Sequence, residues 1–405
     1  MSSVIFSNVR IFDGTGVPSV PGEVKVEGNR ISAVARGSGA RIARDGVEVI
    51  DGQGGTLMPG MVEPHLHLTF PTSVDRVVRT FMPPPEEHVL HVEHNAKVLL
   101  DHGFTSGFSG GATRPQIEVK VRDDIAAGRL PGPRLRAASF ERNVAGERSE
   151  YGQGVEEVRK FAREMIDLGV DTMKLVLSGR GSIIPRHFHE LSYDAAELGA
   201  VAQMANEAGV KLAAHAYSAE SIQLAIRHGF HAIYHCNFAD EPTLDLMEEH
   251  RDRFFVAPAV GIIVAGVERR DLITEQMPEH AAEALEGLRM IRAAQREVIP
   301  KMRRRGIRVL PGGDYGFPHN PHGTNAWDAE LFVTEFGYAP AEALRALTQY
   351  GGQIMGMGEE LGLVKEGYLA DLLLIDGNPV EDIAMLQDRN RLKMIMREGR
   401  FYKRD

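Results

Sequence analysis

The chain has 405 residues, 43% of them hydrophobic, and its 46 Lys+Arg against 56 Asp+Glu give a formal net charge of −10. Those totals exclude a disordered or fibrous chain, and an acidic balance without a basic face excludes broad contact with nucleic acid or an anionic membrane surface. No window approaches the ~20 consecutive apolar residues of a membrane span, the single cysteine, Cys236, has no intrachain disulfide partner, and Met1-Ser2-Ser3-Val4-Ile5-Phe6 lacks the charged and apolar regions of a secretory leader, so the chain reads as cytoplasmic.

Residues 1–58 carry short β-type runs separated by Gly-rich breaks, among them Val4-Ile5-Phe6, Val24-Lys25-Val26 and Val47-Glu48-Val49-Ile50. From about Glu86 the texture changes to helical stretches, each followed by a brief apolar run, which is the alternation of parallel βα units. Eight strands are expected at 60–67, 105–110, 135–138, 172–177, 211–214, 232–234, 254–257 and 307–310. The predicted class is α/β: a (β/α)8 TIM-like barrel over 59–355, with a small β-sandwich domain made by both chain ends, 1–58 and 356–405. The basic run Lys301-Met302-Arg303-Arg304-Arg305 ends a predicted helix, where cations complement the dipole. Residues 315–325, with two Pro and two Gly, are too long and irregular for a simple connection and read as a lid or substrate wall.

The sharpest local motif is Met58-Pro59-Gly60-Met61-Val62-Glu63-Pro64-His65-Leu66-His67. Two His at i and i+2 on a strand share a face, so both imidazoles can reach one metal ion. An HxH pair alone is weak, and His187-Phe188-His189 is another. Position strengthens the first pair, because it falls at the C-terminal end of the first strand, where barrel active sites are assembled. Later strand ends carry Lys174, His215, His235 and Asp314. Each has an ordinary reading as a core residue, a turn or a cap; their occurrence in order is what points to a metal site. Cys236 reads as a small buried side chain, and His88, His91 and His94 as a partly exposed helix surface.

On these residues the sequence resembles the amidohydrolase superfamily of metal-dependent hydrolases. The resemblance extends to Leu130-Pro131-Gly132-Pro133-Arg134 and to Leu361-Gly362-Leu363-Val364-Lys365-Glu366-Gly367-Tyr368-Leu369-Ala370-Asp371. It is most similar to the imidazolonepropionase-like branch, with its Xaa-Pro and Xaa-Arg dipeptidases, ochratoxin-type amidases, and carbamate and phenylurea hydrolases. The resemblance implies two divalent ions: His65 and His67 on the more buried one, His215 and His235 on the other, and a carboxylated Lys174 bridging them. Asp314 would bind the buried ion and shuttle the proton. Zn²⁺ is the default by ligand type, with Co²⁺, Mn²⁺ or Fe²⁺ compatible. It also implies a homo-oligomer.

Departures from the family fall near the presumed pocket. Thr105-Ser106-Gly107-Phe108-Ser109-Gly110-Gly111 replaces a Thr-Val-Arg-Asp run, Ser178-Gly179-Arg180-Gly181 replaces a Gly-Gly turn, and His215-Ala216-Tyr217 replaces His-Ala-His. Tyr217 is placed to hydrogen-bond a substrate carbonyl or its oxyanion. Arg180, Tyr315, His319 and His322 are further substrate-binding candidates, and Phe70 and Phe81 an apolar wall. The expected reaction is hydrolysis of an amide, urea or carbamate C–N bond in a small molecule. Alternatives are a Xaa-Pro/Xaa-Arg dipeptidase or N-acyl amino acid amidase, with Arg180 or Arg186 anchoring a carboxylate, and a phosphotriesterase or lactonase on the same site.

Overall fold

The computed structural model describes residues 3–143 and 152–404; Met1 and Ser2 lie outside them. Five strands come first: β1 Ser3–Ile11, β2 Val20–Glu27, β3 Arg30–Arg36, β4 Glu48–Asp51 and β5 Thr56–Pro59. Eight follow: β6 Met61–Leu66, β7 Phe104–Ser109, β8 Arg134–Arg136, β9 Ala138–Arg142, β10 Thr172–Val176, β11 Lys211–Ser218, β12 Ala232–Phe238 and β13 Phe255–Ala257. Three more close the chain: β14 Leu372–Ile375, β15 Leu392–Arg397 and β16 Arg400–Arg404.

Both chain ends build one eight-stranded sheet, in the order β16-β15-β14-β5-β1-β2-β3 with β4 beside β1. The seam between the ends is antiparallel, running from Leu372 opposite Pro59 to Ile375 opposite Thr56. Register shifts at Phe6/Val9 and Lys25/Val26 add local twist, and the sheet rolls until its β3 edge meets the segment before β14. There Ile31 N–H donates to the Tyr368 carbonyl and Gly367 N–H to that of Ile31, both at 2.9 Å. The roll encloses Phe6, Val24, Val26, Leu57, Leu372 and Met396 as its own core.

The middle of the chain is parallel α/β, with β6-β7-β8 in one set and β9 to β13 in the other. Two expected strands differ. The third is split by Ala137 into β8, which pairs with β7, and β9, which pairs with β10 and reaches four residues further than expected. Among the described residues the eighth makes one bridge, Val256–Val309, and Pro311, which lacks an N–H, with Gly312-Gly313 ends it. That segment still abuts the first: a Cβ on Gly312 would stand 2.8 Å from Pro64 Cγ and 3.0 Å from His65 Cβ.

The intervening helices present apolar residues at helical spacing. Val155–Leu168 buries Val158, Phe161, Ala162 and Met165, and Ala195–Ala208 starts on an Asp194/Glu197 capping box. The basic run ends Ala281–Arg304 and is paired, Arg305 with Glu241 and Asp245 and Arg303 with Glu342. His88 departs from the expected exposed surface. It is fully buried, its Nε2 2.7 Å from the Thr69 carbonyl and its Nδ1 2.8 Å from Arg114, so it braces the turn after β6.

The family-like Asp371 locks the two sheets' residues together. Its buried carboxylate accepts from Arg134 Nη1 at 2.7 Å and Nη2 at 3.3 Å, and from Glu398 N–H at 2.8 Å. Asp371→Ala leaves a mostly enclosed guanidinium with one acid partner fewer, and is expected to destabilise the fold by about 2–3 kcal/mol in denaturant titration.

Candidate metal centre

His65 and His67 stand at the C-terminal end of β6, each 1% exposed. Ligand atoms of His65, His67 and Asp314 all lie within 4.8 Å of one another. His67 Nδ1 sits 2.8 Å from the Gly111 carbonyl, to which it donates, so the lone pair is left on Nε2. That Nε2 is 3.3 Å from Asp314 Oδ1. His65 stacks flat on Tyr234, with ring centroids 3.7 Å apart.

The second half comes from within β10, β11 and β12. His215 and His235 have centroids 4.1 Å apart, and His235 lies 5.5 Å from His65. Lys174, fully buried, donates through Nζ to the Gly110 carbonyl at 2.6 Å and to Glu141 Oε1 at 3.0 Å. Thus His65, His67, Lys174, His215, His235 and Asp314 converge on one spot.

Why these side chains meet is a matter of backbone irregularity. Register shifts fall between Glu63 and Leu66, between Thr172 and Lys174, and between Ala216 and Ser218, each at or next to a residue of the cluster. Bulges of this kind bend a strand and re-aim its side chains. His235 and Asp314 have φ of 73° and 61°, left-handed values that cost a non-glycine residue energy. Gly110 keeps the floor open, since a Cβ there would lie 2.4 Å from His65 Cδ2.

Burial dominates the electrostatics. It lowers His67 to about 4 and His215 to about 3, with the Lys174 charge adding to the effect, and depresses His65 and His235 as well. All four rings are therefore neutral at pH 7, the form that ligates metals. Burial, then the nearby Glu141 charge, pushes Asp314 up to about 7. Burial would raise Glu141 too, but Lys174, His67 and His215 hold it at about 2.

The donor set fits divalent metal. Neither ring nitrogen of His65, nor Nε2 of His215, has a hydrogen-bond partner among the described residues. Leaving buried polar atoms unpaired costs about 1–3 kcal/mol each, and four neutral imidazoles with a carboxylate are the N and O donors that zinc and its neighbours take.

The sequence profile of the amidohydrolase family matches residues 56–401. The chain belongs to the amidohydrolase family. Ochratoxinase of Aspergillus niger is 26% identical over 251 residues, 62% of this chain and 50% of that protein; the chain spans about half the length of this curated relative. The crystal structure of an amidohydrolase has a TM-score of 0.84 at 23% identity over all of both chains. That of a prolidase complexed with N-methylphosphonate-L-proline has a TM-score of 0.83, also at 23% identity over all of both chains. These relatives fall in the branch that the motifs indicate.

The remaining candidates of this amidohydrolase lie at varying distance from the ligands. Tyr217 is buried against them, 4.5 Å from His215 and 5.0 Å from His235 by ring centroids, and burial raises its phenol. Arg180 is half exposed and bonded to Glu190 at 2.5 Å. Tyr315 turns inward, donating to Asp328 at 3.1 Å. His322 is fully buried with Nε2 3.1 Å from the His67 carbonyl, behind that ligand. His319 lies beside Phe317, with Gln276 3.4 Å away. Phe70 stacks on His67 at 4.3 Å and packs edge-on with Phe81 and Phe317 at 5.3 and 5.2 Å.

Sequence reasoning missed Glu141 and Tyr234. Glu141 escaped because the third strand was ended at Ala138, whereas β9 continues to Arg142; an acid terminating a strand run was the available signal. Tyr234 reads as core in an apolar strand. No helix among the described residues is long and apolar enough to cross a membrane.

Proposed function

We propose that this amidohydrolase is a metal-dependent hydrolase that cleaves an amide, urea or carbamate C–N bond of a neutral, apolar small molecule. The observation that carries it is the convergence of four neutral imidazoles, Lys174 and Asp314 at one edge of the parallel strands, which we read as a (β/α)8 barrel spanning 59–355, with 1–58 and 356–405 as a second domain. His65, His67 and Asp314 would hold one ion and His215 and His235 a second. Lys174, once its amine adds CO2 and releases a proton, would bridge them. Zinc suits these donors, as do Co²⁺, Mn²⁺ and Fe²⁺; ions held there supply Lewis acidity and lower the pKa of water.

The chain's own residues do the rest. Asp314 accepts a proton from the water that adds to the carbonyl carbon. It delivers that proton to the leaving nitrogen as the C–N bond breaks, giving an acid and an amine. Tyr217 O–H donates to the carbonyl oxygen as negative charge develops. Phe70, Phe81 and Phe317 on one side, and Phe188 and Phe238 around Tyr217 on the other, exclude water and hold apolar groups.

A second reading, a dipeptidase or N-acyl amino acid amidase, is favoured by the prolidase and ochratoxinase relatives. Such substrates need a cation for their carboxylate, and both candidates are engaged, Arg180 with Glu190 and Arg186 with Glu283. A matched panel of anilides, carbamates and phenylureas against N-acyl amino acids and Xaa-Pro dipeptides, with a lactone and a phosphotriester added, tests the proposal. Higher kcat/KM on the neutral C–N substrates is expected. Strict dependence on a free carboxylate would replace it with the second reading, and preference for the lactone or phosphotriester would remove C–N cleavage altogether. Light scattering of the full chain tests the homo-oligomer proposed from the family.

A further inference from the structure

We propose that Glu141 is a ligand of the metal centre, a carboxylate placed between its two halves in addition to the six family-type residues; this rests on the metal-hydrolase reading above. The simpler role, a counter-ion for Lys174, accounts for only one of its contacts. Oε1 lies 3.0 Å from Lys174 Nζ but also 3.8 Å from His67 Nε2. That ring nitrogen is the one freed for coordination by the Nδ1 bond to Gly111. Lys174 does not lack partners without Glu141: its Nζ reaches the Gly110 carbonyl at 2.6 Å and lies 4.3 Å from the centroid of the Tyr234 ring.

The backbone is arranged to bring this acid here. Between Thr172 and Lys174 the partner strand β9 carries one extra residue, so Glu141 stands directly across from Lys174. Regular pairing would put Phe140 opposite Lys174 and turn the acid away, since neighbouring residues on a strand face opposite sides. The surrounding chain leaves room for it as well. A Cβ on Gly111 would come 2.6 Å from Glu141 Cγ and 3.3 Å from Oε1.

The unpartnered nitrogens, both of His65 and Nε2 of His215, belong to the same cluster and are lone-pair donors that a cation there would take up. Two divalent ions bring four positive charges, and Asp314 with a Lys174 carbamate offsets two. An ionised Glu141 offsets a third in a site where water is largely excluded, leaving one for the attacking water's conjugate base. A carbamate on Lys174 beside Glu141 would put two anions in contact, which is favourable only with cations between them.

The test uses the full chain loaded with zinc. In its crystal structure a Glu141 oxygen is expected within about 2.0–2.2 Å of an ion. By chelator competition, Glu141→Gln is expected to raise the zinc dissociation constant about 10–100-fold, with its circular dichroism unchanged. Repeating the change in a Lys174→Ala background separates ligand from counter-ion. A ligand still costs about tenfold or more there, whereas a counter-ion has nothing left to neutralise and its loss is silent. Zinc bound with Glu141 remaining on Lys174, or a silent change in that background, overturns the proposal and leaves the hydrolase reading standing. Absence of bound metal overturns both.

Discussion

Asp314→Asn is expected to lower kcat by about three orders of magnitude, while zinc content measured after incubation with excess metal stays at the wild-type level. General acid–base groups contribute roughly 10²–10⁴ in rate, and Asp314 is assigned both proton transfers, from water and to the leaving nitrogen. The substitution is clean for a conformational reason. Asp314 has φ of 61°, and Asn is among the few residues that tolerate the left-handed region, so the backbone need not move. An amide keeps an oxygen for the ion but cannot take up the water's proton. Activity within about tenfold of wild type, with metal bound, would remove Asp314 from the proton path. The proton would then have to be carried by another group.

Stripping metal with a chelator is expected to abolish turnover and to lower the melting temperature, both recovering when zinc and bicarbonate are returned together. The stability change follows from both buried nitrogens of His65 and Nε2 of His215, which have no partners in the described structure; an ion that binds only the folded state stabilises it by mass action. Elemental analysis of protein purified without chelator should give about two ions per chain if the bridged centre forms. Labelled bicarbonate should add one carbamate carbon signal that Lys174→Ala lacks. One ion per chain without that signal would reduce the centre to a single ion and remove the bridge. No ion in protein that nonetheless turns over substrate would end the metal-hydrolase reading.

Much of the cluster was legible in the chain because it obeys local rules. His65 and His67 are two residues apart at a strand end, Lys174, His215 and His235 lie in later strands, and Asp314 follows the eighth strand segment. The alternation of helical and apolar runs gave the parallel α/β class, and the β-type runs at the two ends anticipated that they would join. The uncertain parts were those where the local rule fails. Chain periodicity does not encode the rolling of the terminal sheet, which follows from register shifts accumulated across strands. Nor does it encode the split of the third segment, since Ala137 is apolar like its neighbours.

Composition, spacing and strand position by themselves determined that imidazoles, a lysine and a carboxylate recur along the parallel strands, the residue types from which a metal site can be built. Those properties depend on which residue types recur at period two beside turns. Tertiary structure decided that Glu141 joins the cluster, that Arg180 and Arg186 are already paired with acids, that Tyr315 turns inward to Asp328 and that His322 lies against the His67 carbonyl. Those outcomes rest on bulges, ion pairs and loop packing between residues tens to hundreds of positions apart. Their energies exist only once the strands have been brought side by side.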